Sequence, residues 1–240
     1  MSKNTNAQPK NRLSLMGKKL GMTQVFDSEG RLIPCTLIEI QPNVIVQVKN
    51  DEKDGYQAIQ LGFNEHSATK ERTLKKRVNR PQLKKFEKIG VHPHRHLKET
   101  RVDDSNTFEV GQKIGVEAFE NVGYVDIRGT SKGKGFQGLI KRNNYRGGPA
   151  AHGSGFHRHA GSTGMRSTPG RCLTNGPRPS QMGNKNCVVQ GLRIISIDAD
   201  NHLLVVKGAI PGANHGLVHI QPAIKRDHSK EVEGVKLWER

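Results

Sequence analysis

No aspartate or glutamate occurs between Asp126 and Asp198, and that gap is the strongest constraint in this 240-residue chain. The interval holds 12 of the 39 Lys and Arg and 14 of the 27 Gly, with few branched apolar side chains. Such a stretch has no core of its own to offset the ordering entropy of its backbone, roughly 1 to 2 kcal/mol per residue. Something outside the chain must order it. The missing carboxylates also remove the acid and base that hydrolytic chemistry uses, and His152, His157 and His159 have neither an orienting acid nor a nucleophile at motif spacing. No enzyme is expected.

Other shortages narrow the class further. Hydrophobic residues make up 33% and aromatics 5% of the chain, against about 45 to 50% apolar, glycine included, in a typical globule. Part of the chain is therefore not core. There is no apolar run of the roughly 18 residues a membrane span needs, and no apolar stretch of signal-peptide length near the start. The three cysteines, Cys35, Cys172 and Cys187, are far apart and form no C-x-x-C pair, which fits a reduced, cytoplasmic setting. No metal is expected: the cluster His92-Pro-His-Arg-His96 lacks the cysteines or second ligand pair of a finger. No cofactor is expected either. Gly133-Lys-Gly-Phe-Gln-Gly138 is a literal G-x-G-x-x-G, but a dinucleotide site needs a βαβ unit and an acid about 20 residues on.

What is present is positive charge, and it is segregated. The formal net charge is +17 with a pI near 10.0, the footprint of a nucleic-acid or anionic-surface binder. Residues 64–101 carry +8 and 128–187 carry +11, whereas 13–63, 102–127 and 188–224 together carry −6. The basic segments lack the apolar face that would lay them on a membrane. Nothing offers a recognition helix, finger or basic zipper for the major groove of DNA. An irregular Gly/Arg ribbon suits the crevices of folded RNA, with His, Tyr145 and Phe156 able to stack on unpaired bases. Local packing under the glycine loops is the competing reading for Phe136 and Phe156.

The blocks without excess positive charge read as sheet. Met22 to Phe26, Leu32 to Ile40, Val44 to Lys49, Ala58 to Phe63, Thr107 to Phe119, Gly123 to Arg128, Val188 to Ile197, His202 to Ala209 and Leu217 to Ile224 are predicted strands, bounded by polar or glycine turns. Short strands at about ten-residue spacing favour an antiparallel barrel or sandwich. The expected fold is mainly β: an antiparallel six- to seven-stranded β-barrel with long irregular basic insertions and an extended loop. Its expected parts are a basic arm at 1–12, a barrel from 13–63, 102–128 and 188–224, a basic insertion at 64–101, an extended loop at 129–187 and a tail at 225–240. The insertion is read as irregular, with one or two short helical pieces. Within the loop the one helix candidate is Phe136 to Asn144, and a loop of that length can reach several tens of ångströms into a partner.

The expected phosphate contacts are Arg128, Lys132, Lys134, Lys141, Arg142, Arg146, Arg158, Arg166, Arg171, Arg178 and Lys185, joined by His152, His157 and His159 as RNA-binding residues. Glycine-rich backbone beside Lys132 and Lys134 is expected to cradle phosphate.

Several runs also carry a family resemblance: Met16-Gly-Lys-Lys-Leu-Gly-Met-Thr23, the Gly129-Thr-Ser-Lys-Gly-Lys-Gly-Phe136 core, His152-Gly, Gly161-Ser, Thr168-Pro-Gly170, Gln181-Met-Gly-Asn184 and Leu204-Val-Val-Lys-Gly-Ala-Ile-Pro-Gly212. From Leu13 to Ile224 the chain resembles the family of the third protein of the large ribosomal subunit, in its bacterial form. The resemblance implies a barrel of the translation-protein type and a loop threading 23S ribosomal RNA. It also implies binding near the 3′ end of that RNA, nucleation of assembly, and a loop tip near the peptidyl-transferase centre formed by Gly161, Ser162, Thr163, Gly164, Met165, Arg166, Ser167 and Thr168. By the same resemblance the neighbours are the fourteenth and nineteenth proteins of the subunit, without self-association. Relatives can carry a methylated glutamine in this tip; Met165-Arg-Ser167 has none.

Overall fold

A computed structural model describes residues 13–27, 29–66, 71–103, 105, 107–173 and 176–226. The expected arm at 1–12 and all of the tail beyond Arg226 lie outside them. The chain forms two compact units, one from 1–130 with 186–240 and one from 131–185.

In the first unit the strands are β1 (Leu15–Phe26), β2 (Leu32–Glu39), β3 (Asn43–Lys49), β4 (Ala58–Glu65), β5 (His94–Arg101), β6 (Lys113–Ile114) and β7 (Tyr124–Thr130). A two-residue pair in the second unit, β8 (Phe136–Gln137) and β9 (Ser180–Gln181), precedes the return of the chain through β10 (Asn186–Asp198), β11 (Leu203–Lys207) and β12 (Leu217–Pro222). Six of these close into a barrel in the order β1-β12-β7-β10-β11-β2, antiparallel at every pairing. Closure leaves no unpaired sheet edge. Alternation supplies the interior: Val125 and Ile127 on β7, Leu204 and Val206 on β11, and Val218 and Ile220 on β12 are buried, as the two-residue period of a strand requires.

The strands expected from 44–49 and 58–63 form, but not in the barrel wall. β3 and β4 are central in a separate four-stranded sheet ordered β5-β4-β3-β6. The reason is burial on both faces. Ile45, Ile59, Leu61 and Phe63 join the barrel core, while Gln47 and Gln60 meet a helix through Lys85, whose Nζ donates to their Oε1 atoms at 2.9 and 2.6 Å. A short helix α1 (Asp51–Asp54) turns between β3 and β4 and ends on Gly55 in the left-handed region.

The basic segment 64–101 is thus a folded part of this sheet and not an irregular insertion. It supplies α2 (Glu71–Arg77), α3 (Arg80–Ile89) and β5. Proline near the N-terminus of α3 and left-handed Gly90 at its end delimit that helix, in agreement with the usual asymmetry of helix ends. Leu83 and Phe86 are its buried side chains, and Phe86 packs against the His94 ring at 6.1 Å between centroids. The expected strand over 107–119 reduces to β6 and a 3₁₀ turn, Val116–Phe119, that buries Val116 and Phe119.

Buried polar groups tie this unit together. Asn43 exchanges hydrogen bonds with the Met16 backbone, donating to its carbonyl at 3.0 Å and accepting from its N–H at 3.1 Å, so the second sheet is fastened to β1. Lys19, buried at the β1 irregularity, donates to the carbonyls of Ile210 and Gly212. The Asp126 carboxylate accepts from the N–H groups of Gly191 and Ile224 at 2.7 and 3.3 Å, where β10 bulges against β7. Each bond satisfies a group that would be costly to bury unpaired.

Candidate nucleic-acid interface

The second unit, 131–185, contains ten Lys and Arg and no acid. Its stem is a two-stranded ladder. Ser131 N–H donates to the Lys185 carbonyl, Lys134 N–H to Met182, and Met182 N–H to Gly135, each at 2.9 Å, and β8 pairs with β9 beyond them. Glycine allows this closeness. At Gly183, with φ +72°, an added Cβ would collide with the Lys132 carbonyl oxygen. At Gly148 one would collide with the Phe156 carbonyl, next to the bond from Gly148 N–H to the His157 carbonyl at 3.1 Å.

Beyond the stem lies α4 (Leu139–Asn143), shorter than the helix expected over 136–144 because 136–137 pair with β9. Leu139 is its buried residue and Asn144, in the left-handed region, ends it. Lys141 is exposed; Arg142 is half-buried and donates to the Arg178 carbonyl at 3.0 Å. These two predicted site residues are therefore brought together across the unit. His157 Nδ1 stands 3.0 Å from the Pro149 carbonyl, and the Phe156 and His159 rings lie 5.4 Å apart at a 38° tilt. Phe136 is 73% exposed, so the packing reading does not hold for it; Phe156, 47% exposed, keeps its ring contact with His159.

Of the other predicted residues, Lys132, Lys134, Arg146, His152, Arg158, Arg166, Arg171, Arg178 and Lys185 are exposed. Every residue of the tip, 161–168, is exposed as well, and the Ser162 hydroxyl closes a turn there by donating to the Gly164 carbonyl at 2.8 Å. Arg128 is exposed on β7, in the first unit. The expected backbone cradle beside Lys134 is altered, because the Lys134 N–H is engaged by the Met182 carbonyl. The G-x-G-x-x-G run likewise falls in an antiparallel ladder followed by a five-residue helix, not in a βαβ unit.

Sequence reasoning missed the face of β5. Among charged neighbours, His94, His96, Lys98 and Thr100 alternate onto one side, and Thr100 donates to the Ser14 carbonyl at 3.0 Å. The period was present in the sequence; the charge of the segment concealed it.

What the arrangement can do is bind anions: exposed cations on a glycine-rich backbone, with no carboxylate in the unit to compete for them. Comparison with known proteins agrees in kind. A family model described as ribosomal protein L3 matches residues 99–203. The large ribosomal subunit protein uL3 of Protochlamydia amoebophila is 51% identical over 213 residues, 89% of this chain and 91% of that protein. Those of Chlamydia felis and Chlamydia pneumoniae are 52% and 48% identical, each covering 88% of this chain and 96% and 97% of their own lengths.

Proposed function

The chain belongs to the ribosomal protein L3 family, and from that premise we propose that residues 131–185 are ordered by 23S ribosomal RNA which they thread. The protein is a structural constituent of the large ribosomal subunit, without enzymatic activity, and resides in the ribosome in the cytoplasm. It binds near the 3′ end of the RNA and acts early, nucleating assembly. Phosphates lie against Arg128 and the ten cations from Lys132 to Lys185, with His152, His157 and His159 at riboses and bases. The tip from Gly161 to Thr168 points toward the peptidyl-transferase centre, and the fourteenth and nineteenth proteins of the subunit are neighbours.

One observation carries this reading: ten cations and no acid on a unit with a single buried apolar side chain, Leu139, among its described residues. Such a unit cannot be held by its own core, and a polyanion supplies both the missing charge and the missing surface. Phosphate contacts set position while base contacts, where present, set sequence. The test is sedimentation of a lysate before and after a high-salt wash. The chain is expected to stay with the large subunit through the wash, as an RNA-threaded loop must; release by salt as a small free species would refute the threading.

A further inference from the structure

The β5 face holds a feature that the extended loop does not explain. His219 on β12 stands opposite Arg128 on β7 in the barrel register. His96 and Lys98 of β5, with Arg128, are the charged groups that act on the His219 ring, and all of them are basic. The ring's Nδ1 is buried and has no hydrogen-bond partner among the described residues. Lys98 and Arg128 are exposed.

The acids on β7 and β5 are engaged elsewhere. Asp126, two residues from Arg128 on the same face of β7, is held by the N–H groups of Gly191 and Ile224. Glu99 projects from the other face of β5, bonded to Tyr56 at 2.9 Å and paired with Lys49 at 3.0 Å. On the β1 side, the pair beside His219 is Met16, and Lys18 stands opposite Leu217 one same-face step along. Three strands from two sheets thus gather cations around a half-buried imidazole without a counter-charge among the described residues. Proteins place charges this way where an anion arrives from outside.

We infer that Lys98, Arg128 and His219 form a phosphate subsite on the barrel unit, which takes a phosphodiester of the RNA backbone separately from the contacts of residues 131–185. The subsite rests on the RNA-binding reading above. Its chemistry is that of two exposed cations spanning one phosphate, with the imidazole beside it. Burial and the three basic neighbours hold His219 down at about 4 in the protein alone. A phosphate among the same groups supplies the charge that favours the imidazolium, so RNA binding is linked to proton uptake at this ring.

The experiment uses the full chain. Binding to protein-free 23S RNA is measured as a function of salt for the wild type, Lys98→Gln, Arg128→Gln and the double variant, with the circular dichroism melt as a check on folding. The double variant should flatten the slope of log affinity against log salt by about 0.7 to 0.9, the share of the one phosphate the two cations span, and each single substitution by no more than that. In parallel, histidine-selective NMR follows His219 with and without a short single-stranded RNA. Its titration should move from about 4 toward the ordinary histidine range when RNA is bound. A steep wild-type slope that all three variants share, with His219 unmoved by RNA, would overturn the subsite and leave the loop's RNA binding standing. Absence of salt-dependent RNA binding by the wild type would overturn both.

Discussion

Residues 131–185 and the barrel unit obey opposite rules. The barrel unit contains a continuous apolar core running from Leu15 to Ile220, into which Asn43 and Asp126 are fastened by bonds to backbone. In 131–185, Leu139 is the one buried apolar side chain among the described residues, and the tip is exposed throughout. The barrel is therefore specified by its own side chains. The loop unit is held by hydrogen bonds of a narrow stem and, on the proposed function, by RNA beyond it. One chain carries both because they solve different problems, holding a shape and fitting into another molecule's shape.

The largest expected effect separates the two by salt. If about ten phosphates are neutralised, affinity for isolated 23S RNA should fall roughly 10³ to 10⁵-fold between about 50 and 200 mM salt. The barrel's melting temperature should change little over that range, since its core is apolar. A fluorescence binding titration beside a thermal melt measures both. A flat affinity would remove the electrostatic account of the loop; a melt that moves with the affinity would erase the distinction between the units.

A smaller effect tests the cores directly. Ile127 is fully buried in the barrel, and Ile127→Ala should cost about 2 to 5 kcal/mol in a denaturant titration through lost transfer energy and a cavity. Leu139→Ala should leave that global transition in place, because Leu139 belongs to the other unit. In the RNA-free protein, limited proteolysis should cut within 131–185 well before the barrel, as expected of backbone without a core. Equal destabilisation by the two substitutions, or equal resistance to protease, would mean that the loop unit is self-sufficient.

How much of this was legible in the sequence follows the same division. The loop announced itself through composition, since an acid-free, glycine-rich interval is visible without any structure. The two-stranded stem was not legible, because its bonds join Ser131 to Lys185 and Lys134 to Met182 across about fifty residues through backbone groups that carry no side-chain signal. In the barrel, β2 was readable from its apolar side chains and ended within one residue of expectation. β1 begins at Leu15 and not at Met22, since Gly17, Lys18 and Lys19 break the apolar alternation; Lys19 is buried only because two carbonyls receive it. β5 was hidden for a related reason. Its His, Lys and Arg side chains suggested a solvated segment, whereas what decides the strand is pairing with β4. Ten-residue spacing located β3 and β4 but does not encode which sheet they join.

The smallest expected effect lies inside the barrel unit and concerns acid. Burial pushes His66, His94 and His96 below the ordinary histidine value, and burial with Lys98, Arg128 and His96 takes His219 to about 4. Between that value and the ordinary 6.5, the unfolded chain binds more protons than the folded one, so stability falls as pH falls through this window and is fully present above it. Denaturant titrations at about pH 7 and about pH 5 should show the loss, and His219→Gln should reduce it. An unchanged loss in that variant would mean that the other buried histidines account for it. Bound RNA should act in the opposite direction at His219. With a phosphate beside Lys98 and Arg128, the proton stabilises the complex, and the same acidification that loosens the barrel alone should tighten its hold on RNA. The sign of the pH effect at one ring thus distinguishes a barrel that folds by itself from a barrel that has met its partner.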